Sequence, residues 1–314
     1  MTTASTTRPF RFGLMLRAPT FAEWLAKARR ADELGYSTLL VNDHVSSHWG
    51  PIAAMTAVAT CTTRLRVGAM VISNDFRHPV LLAKELSTID AASQGRLEIG
   101  LGAGWWLDDY AQLGLTRDPA ATRIERLEEA VEVIRRIMTG TTVAFTGRHY
   151  RVDDPYRRPR PVQQPHPPFM VGGGGRRVLG LAARAADIVG IHVDLGHGAY
   201  KEGMLFDGRP ERTAQRVEWV REAAGDRFPS LELTAAVFHH VHTDARSRVL
   251  GELAEQSGLA VADVADIPHL LVGTPEQMAE DLVRRRERYG ISYVMLQDVE
   301  PEQMAPLVEL LRGR

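Results

Sequence analysis

Two short segments carry residue types suited to chemistry, and each follows a predicted strand. The first is Asp43-His44, just after the strand predicted at Thr38–Val41. A histidine at a strand end can give or take a proton, which usually contributes about 10²–10⁴ to a rate. Asp43 beside it could orient a ring or accept a hydrogen bond from a cofactor amide. A histidine that only caps the strand is the structural alternative.

The second segment is a run of four glycines, Gly172 to Gly175, followed by Arg176-Arg177 and a predicted helix. In regular structure each glycine is less favourable than alanine by roughly 0.5–1 kcal/mol, so the run indicates a requirement for bare backbone. Amides at a helix N-terminus without side chains in the way suit a phosphate or phosphodiester. A tight strand-to-helix turn is the alternative. No Lys-Ser/Thr follows, so the run is not a Walker A loop.

A third segment, Gln94–Asp109, reads QGRLEIGLGAGWWLDD. An apolar strand gives way to alternating glycines and then to Trp105-Trp106. Glycines at a strand end let a large flat group approach the backbone. A buried strand with a loose end is the structural alternative.

Strands alternating with helices must position these segments. The first four predicted strands begin near residues 10, 38, 66 and 96. Strand–helix repetition at that spacing indicates right-handed parallel βαβ units. The complete set of predicted strands is 10–16, 38–41, 66–72, the segment from 96, 169–171, 188–193, 233–242 and 291–296.

Eight strand–helix units predict an α/β fold, a (β/α)₈ TIM barrel, which typically needs about 250 residues. The chain has 314 residues, and the surplus falls after strands 4, 6 and 7. We therefore predict insertions within a single domain over residues 9–314. An open doubly wound sheet is the alternative, but its G-x-G-x-x-G after the first strand is missing. Active sites of (β/α)₈ barrels lie at the C-terminal strand ends, where the three segments fall.

Composition narrows the classes of partner. The net charge of −1 gives no reason to expect nucleic acid or a membrane surface as partner. Residues 1–8 are predicted to be a disordered lead-in without the apolar core of a signal peptide, and no apolar run approaches the length of a membrane span. Cys61 is the only cysteine, which excludes an internal disulfide and fits a reducing cytoplasm.

The histidines His239, His240 and His242 invite a metal interpretation. On a strand, however, His240 and His242 share one face while His239 points to the other. The first strand offers no metal ligands. No metal site is predicted.

Four segments together resemble the bacterial luciferase-like monooxygenase superfamily, and more closely its coenzyme F420-dependent branch. The resemblance spans about residues 10–299. It rests on NDH after strand two, GRLEIGLGAGW through strand four, PRPVQQPHPPFMVGGGG into strand five and VGTPEQMAEDL near the end. It implies a (β/α)₈ barrel that binds a flavin or 5-deazaflavin at its strand ends and usually forms a homodimer.

The resemblance also implies roles for individual positions. Asp43 and His44 match residues that face the deazaflavin ring, and Met70-Val71 match a bulged third strand whose non-prolyl cis peptide supports the ring from behind. Ala103 and Gly104 match the turn beside the ring, and the glycine run matches amides that hold the phosphate-bearing tail. The implied cofactor-binding residues are Asp43, Met70, Val71, Ala103, Gly104, Gly172, Gly173, Gly174 and His192.

The leading functional hypothesis is an oxidoreductase that moves a hydride between C5 of coenzyme F420 and a small, fairly apolar substrate. His44 and Asp43 would be the catalytic residues, with His44 as the proton donor or acceptor. Trp105 and Trp106 would wall the substrate pocket and exclude water. Trp105 stands where sugar-phosphate dehydrogenases of this branch carry a catalytic glutamate, so that activity is not predicted. The alternatives are an FMN-dependent monooxygenase, a non-catalytic flavin- or deazaflavin-binding protein, and a metal-dependent barrel hydrolase.

Overall fold

Eight parallel strands form a closed barrel in the computed structural model, which describes residues 8–140, 142–154 and 160–314. Residues 1–7 of the predicted lead-in lie outside the described residues. Each strand pairs in parallel with its neighbours in chain order, and the last strand pairs with the first. The strands are β1 (Arg11–Met15), β2 (Thr38–Val41), β3 (Arg66–Ala69), β4 (Leu97–Gly102), β5 (Phe169–Gly173), β6 (Ile188–Ile191), β7 (Glu232–Val237) and β8 (Ile291–Gln297). The predicted TIM barrel is confirmed, and the open doubly wound sheet is wrong.

Helices cover the outside of the barrel, so the strands are apolar on both faces. The α-helices are Phe21–Leu34, Pro51–Cys61, Pro79–Ala92, Leu107–Leu113, Ala120–Met138, Arg176–Ala185, Pro210–Ala224, Arg246–Ser257, Val261–Ala265, Pro275–Tyr289 and Pro301–Leu311. Short 3₁₀ helices occupy Asn74–Phe76, Met204–Gly208 and Gly225–Ser230. Within the described residues, no helix combines the length and apolar character needed to cross a membrane.

Local sequence signals set several helix ends. Thr20 Oγ1 accepts a hydrogen bond from the Glu23 amide at 3.2 Å, and Gly35 ends the same helix with φ of 84°. Thr274 and Gln277 form a reciprocal capping box, as their spacing predicts. These caps fix where the two helices begin or end, and therefore the lengths of the loops that join them to the strands.

Two predicted strands differ from the structure by more than one or two residues at their ends. The third, predicted to be continuous over 66–72, is interrupted at the Met70-Val71 peptide, which is cis, and resumes at Ile72–Ser73. The seventh, predicted over 233–242, ends at Val237. Beyond it, His239–His242 pairs with Leu270–Gly273 in a separate two-stranded parallel sheet.

The seventh strand ends early because its two parts have different surroundings. The residues of β7 from Leu233 onward are buried, while the side chains of His239–His242 are half-buried or exposed. The amides of Phe238 and His239 both donate to the His269 carbonyl at 3.2 Å, which draws the chain off the barrel. The insertion after β4 contains the antiparallel hairpin Val143–Thr146 and Arg151–Asp154.

Buried charges fill the N-terminal end of the barrel. Glu98, 1% exposed, accepts from Arg11 Nη1 at 2.5 Å and from Arg66 Nε at 2.8 Å. Arg11 also bonds both carboxylate oxygens of Glu232 and lies 3.5 Å from the centroid of the Tyr293 ring. This end of a (β/α)₈ barrel serves stability, so the site must lie at the opposite end.

Candidate active site

A cavity of about 590 Å³ opens at the C-terminal ends of the strands. Every residue predicted for the site lines it except Trp106, which lines a smaller neighbouring cavity of about 270 Å³. The predicted residues brought together in the larger cavity are Asp43, His44, Met70, Val71, Ala103, Gly104, Trp105, Gly172, Gly173, Gly174 and His192. Segments distant in the sequence therefore converge on one space.

His44 is held by a carboxylate that the sequence analysis did not assign to it. Its Nδ1 lies 2.7 Å from Asp109 Oδ2, and the other oxygen of Asp109 accepts from the Val45 amide at 2.9 Å. A carboxylate can only accept, so Nδ1 carries the proton and Nε2 of the neutral ring is an acceptor. This pairing fixes the tautomer and the orientation of His44.

Asp109 lies in the first turn of the helix Leu107–Leu113 and is buried. The sequence shows two adjacent acids there, Asp108 and Asp109, and gives no sign of which one turns inward. Only the packing of that helix against the loop after β2 selects Asp109. The sequence signal that could have identified Asp109 is an acid in the first turn of the helix after β4.

Asp43 is engaged by the loop after β3. Its Oδ2 accepts from the Ser73 amide at 3.0 Å and its Oδ1 from Arg77 Nη2 at 3.0 Å, while Arg77 Nη1 bonds Oδ2 as well. Burial raises the pKa of Asp43, and these bonds with Arg77 and Ser73 oppose the rise. Asp43 thus ties two strand-end loops together beside His44.

The turn after β4 is fixed from the insertion. Buried Arg123 donates Nη1 to the carbonyls of Ala103, at 3.0 Å, and of Gly104. Gly104 has φ of 72°, and a Cβ there would lie 2.1 Å from Tyr110 Oη. Glycine is therefore required, and the backbone of the turn faces the cavity directly. Arg123 is a site residue that the sequence analysis missed.

The glycine run lines the cavity at the start of the helix Arg176–Ala185. A Cβ on Gly174 would lie 2.4 Å from the Val193 carbonyl oxygen, so the chains after β5 and β6 approach closely at that point. The amides of the first helical turn have no partner within their own helix. They are available to an anion at the edge of the cavity.

His192 lines the cavity in a stack of rings. Its ring centroid lies 5.9 Å from that of Phe238 and 5.4 Å from that of His269. Burial lowers the pKa of His192 and lowers that of His269 to about 3. His269 Nδ1 donates to the Ala236 carbonyl at 2.8 Å, and Nδ1 of His192 lies 3.2 Å from the Val193 carbonyl. Both rings are neutral at pH 7.

The three histidines weighed as metal ligands have other surroundings. His240 Nε2 lies 3.2 Å from the Gln297 carbonyl oxygen, and His242 Nε2 lies 3.2 Å from Met304 Sδ. Across residues 8–140, 142–154 and 160–314, no group of three or more His, Cys, Asp or Glu side chains is arranged to hold a metal ion.

A family model described as luciferase-like monooxygenase matches residues 3–293. The chain belongs to the luciferase-like monooxygenase family. Relatives in this family include named oxidoreductases and monooxygenases, some F420-dependent and some FMN-dependent, and the protein is an enzyme of this luciferase-like type. The luciferase-like barrel described above is the scaffold that these relatives share.

Among the curated relatives, a limonene 1,2-monooxygenase from Rhodococcus erythropolis is 27% identical over 285 residues, covering 82% of this chain and 70% of the relative. An F420-dependent glucose-6-phosphate dehydrogenase from Amycolatopsis mediterranei (strain U-32) is 33% identical over 169 residues, covering 51% of this chain and 50% of the relative. That second match spans about half the relative's length. A solved coenzyme F420-dependent tetrahydromethanopterin reductase from Methanopyrus kandleri superposes with a TM-score of 0.75 at 17% identity, covering 96% and 97% of the two chains. The last likeness concerns the fold.

Proposed function

We propose that this luciferase-like protein is a coenzyme F420-dependent oxidoreductase in which His44 transfers the proton. The observation that carries the proposal is the His44–Asp109 pair in the wall of a cavity that the glycine run also lines. A proton-handling group and an anion cradle in one cavity suit a phosphate-bearing redox cofactor next to a small substrate.

The residues present fit such a cofactor. A cavity of about 590 Å³ is within the range of small-molecule and cofactor sites. The bare glycines before the helix Arg176–Ala185 would hold the phosphate of the tail with backbone amides, and Met70-Val71 together with the Ala103-Gly104 turn would flank the ring. A bound deazaflavin supplies the carbon centre, C5, that gives or takes a hydride.

The chain's own residues supply positioning and proton transfer. Nε2 of His44 would accept the proton from a substrate hydroxyl as it is oxidised, or return it in the opposite direction. Asp109 would stabilise the resulting imidazolium, because its carboxylate lies 2.7 Å from Nδ1. Trp105, in edge-to-face contact with His44 at 5.6 Å, would keep water from the reacting atoms.

An FMN-dependent monooxygenase is the second candidate. It is favoured by the match to the limonene 1,2-monooxygenase, which covers 82% of this chain. The same cradle would hold the phosphate of FMN. The two candidates differ in which cofactor the protein retains.

Titration of the purified protein with coenzyme F420 and with FMN, followed by fluorescence quenching, separates these candidates. The proposal expects saturable, tighter binding of F420. FMN co-purifying from a host unable to make F420, seen as the visible absorbance of a bound flavin, would contradict it.

The non-catalytic alternative requires a second measurement. His44→Ala should leave F420 affinity within about threefold and lower turnover by about 10²–10⁴. A wild-type protein that binds F420 tightly but turns over no alcohol or carbonyl compound would support a binding protein instead.

A further inference from the structure

The smaller cavity, of about 270 Å³, adjoins the larger one at His44. His44 lines both, as do Asn42 and Tyr200. The tandem tryptophans are divided between them, since Trp105 lines the larger cavity and Trp106 the smaller. We call the smaller cavity the side chamber. It is lined by Met15, Leu16, Arg17, Ala18, Trp24, Leu40, Val41, Asn42, His44, Ser46, Ser47, His48, Trp49, Trp106, Tyr200 and Asp298.

Aromatic rings enclose the side chamber beside His44. The His44 ring lies 4.8 Å from the Trp106 ring at 68°, and Trp106 lies 5.2 Å from Tyr200 at 88°. Trp24 forms another part of the wall, and its Nε1 is already bonded to the Leu16 carbonyl at 3.2 Å. These walls present ring faces and edges, which favour apolar and ring-shaped guests.

The charges around the side chamber are matched. In the described part of the chain, Arg17 and Asp298 are the only Lys, Arg, Asp or Glu side chains in its lining, and they pair with each other at 2.6 Å. His44 has its own partner in Asp109. The exposed His48 ring also lines the chamber. Apart from it, a charged guest would find in the described lining no ionisable group that is not already paired, and it would lose hydration on entry.

The lining of the side chamber also includes neutral polar side chains, those of Asn42, Ser46 and Ser47. Tyr200, which lines both cavities, is 60% exposed. Aromatic walls combined with a few neutral hydrogen-bonding groups suit a neutral ligand that has an apolar ring and one polar group.

We propose that the side chamber is the substrate-binding compartment and that it takes a small, neutral, ring-bearing alcohol or carbonyl compound. At roughly 30 Å³ for each water-sized group, it accommodates on the order of ten non-hydrogen atoms. The guest's oxygen would face Nε2 of His44, which lies at the junction of the two cavities. That this compound is the substrate rests on the proposed function, whereas its binding to the side chamber can be measured without turnover.

Calorimetric titration of the full chain with cyclohexanol and with cyclohexanecarboxylate tests the proposal, because the two probes share a ring and differ in charge. Cyclohexanol should bind saturably with one-to-one stoichiometry, and the carboxylate at least tenfold more weakly. F420 affinity, measured separately, reports on the proposed function alone. Failure of cyclohexanol to bind, or equal affinity for the two probes, would overturn the assignment of the chamber.

Two variants locate the bound ring. Ser46→Trp places a bulky side chain at an exposed position of the chamber lining, with Ser46→Ala as its matched control. Cyclohexanol affinity should fall at least tenfold in the first and stay within twofold in the second. Trp106→Ala removes a wall and should shift preference towards a two-ring alcohol such as decahydronaphthol. Unchanged cyclohexanol binding in both Ser46→Trp and Trp106→Ala would place the ring elsewhere and refute the proposal.

Discussion

At the scale of single residues, the main cavity contains two histidines in opposite surroundings. His44 has a carboxylate 2.7 Å from Nδ1, which in the proposed function orients the ring for proton transfer. His192 is stacked among Phe238 and His269, and burial lowers its pKa. One ring can carry a transient positive charge, while the other stays a neutral part of the wall. Identical side chains thus take different roles because their neighbours differ.

Asp109→Asn tests the pairing of His44. An amide can donate to Nδ1, which would move the ring proton to Nε2 and leave no acceptor facing the substrate. Turnover should fall by about 10²–10⁴, with F420 affinity within about threefold of the parent. Steady-state kinetics and fluorescence titration measure the two quantities. Asp108→Asn, which changes the exposed neighbour, should keep near-parental turnover, and equal losses in both variants would argue against the pairing.

At the scale of elements, the site depends on how the loops at the strand ends are joined. Asp43 and Arg77 connect the loop after β2 to the segment after β3, and Arg123 connects the insertion to the turn after β4. The close approach at Gly174 joins the ends of β5 and β6. These contacts place the backbone of the loops, more than their side chains, against the cavity.

Gly174→Ala should disturb the contact between β5 and β6. The added Cβ would lie 2.4 Å from the Val193 carbonyl oxygen and 2.6 Å from the Asp194 amide nitrogen. Backbone atoms must shift, so the free energy of unfolding should fall by about 1–3 kcal/mol in denaturant titrations. Gly175→Ala is the matched control, because a Cβ there meets no atom within 4 Å. Equal stability of the two variants would mean that the loops adjust freely.

Arg77→Met should leave the Asp43 carboxylate buried without its ion-pair partner. We expect a loss of about 3 kcal/mol at neutral pH. Burial already raises the pKa of Asp43, and without Arg77 the rise should be larger. A carboxyl whose pKa is higher in the folded than in the unfolded state binds its proton more tightly when the protein is folded. The loss of stability in Arg77→Met should therefore shrink as pH falls towards 5 and grow as pH rises.

The double variant Asp43→Asn/Arg77→Met completes a double-mutant cycle, in which chemical denaturation measures the free energy of unfolding. Because no carboxylate remains, it should recover much of the loss and abolish the pH dependence specific to Arg77→Met. A double variant whose loss equals the sum of the two single losses would show that the two side chains do not interact energetically.

At the scale of the whole molecule, a stabilising charge network and the candidate active site lie at opposite ends of the barrel. The Arg11–Glu98–Arg66 network closes one end, and the cavities open at the other. The insertion after β7 adds a small apolar cluster, which includes Leu250, Val264 and Val272, beside the barrel. His269 lies where this insertion meets the barrel, with its ring bonded to the Ala236 carbonyl of β7.

His269 should make the stability of the whole chain depend on pH. Its pKa in the folded state is lowered to about 3, against an ordinary value of about 6.5. The unfolded chain therefore binds the extra proton as pH falls below about 6.5, and stability is lost down to about pH 3. Each pH unit within that window costs about 1.4 kcal/mol from this group.

Denaturant titrations of the parent and His269→Asn at pH 7, 6 and 5 measure this contribution. The parent should lose about 1 kcal/mol more than the variant between pH 6 and 5. His197→Asn, on an exposed loop, is the control and should keep the parental slope. Parallel pH profiles for the parent and His269→Asn would show that His269 is not the source of this pH dependence of stability.

Much of the barrel could be predicted because its signals are local. Strand–helix spacing, the capping box at Thr274 and the apolar runs of β1 to β6 depend on residues near one another in sequence. The break at Phe238 was missed, since the apolar–polar pattern continues through His242 while the chain changes partners. Strand partners are chosen by distant residues, and a single strand's composition does not reveal them.

The barrel, the strand ends that face the cavity, and His44 and the glycine run as candidate chemical groups could all be predicted from the sequence. Each follows from periodicity, from glycine's backbone freedom, or from resemblance along continuous segments. Tertiary packing was needed to show that Asp109, 65 residues away, holds His44, and that Trp105 and Trp106 line different cavities. Those outcomes depend on which way a short helix and a loop turn when they pack, and the packing surfaces come from remote parts of the chain.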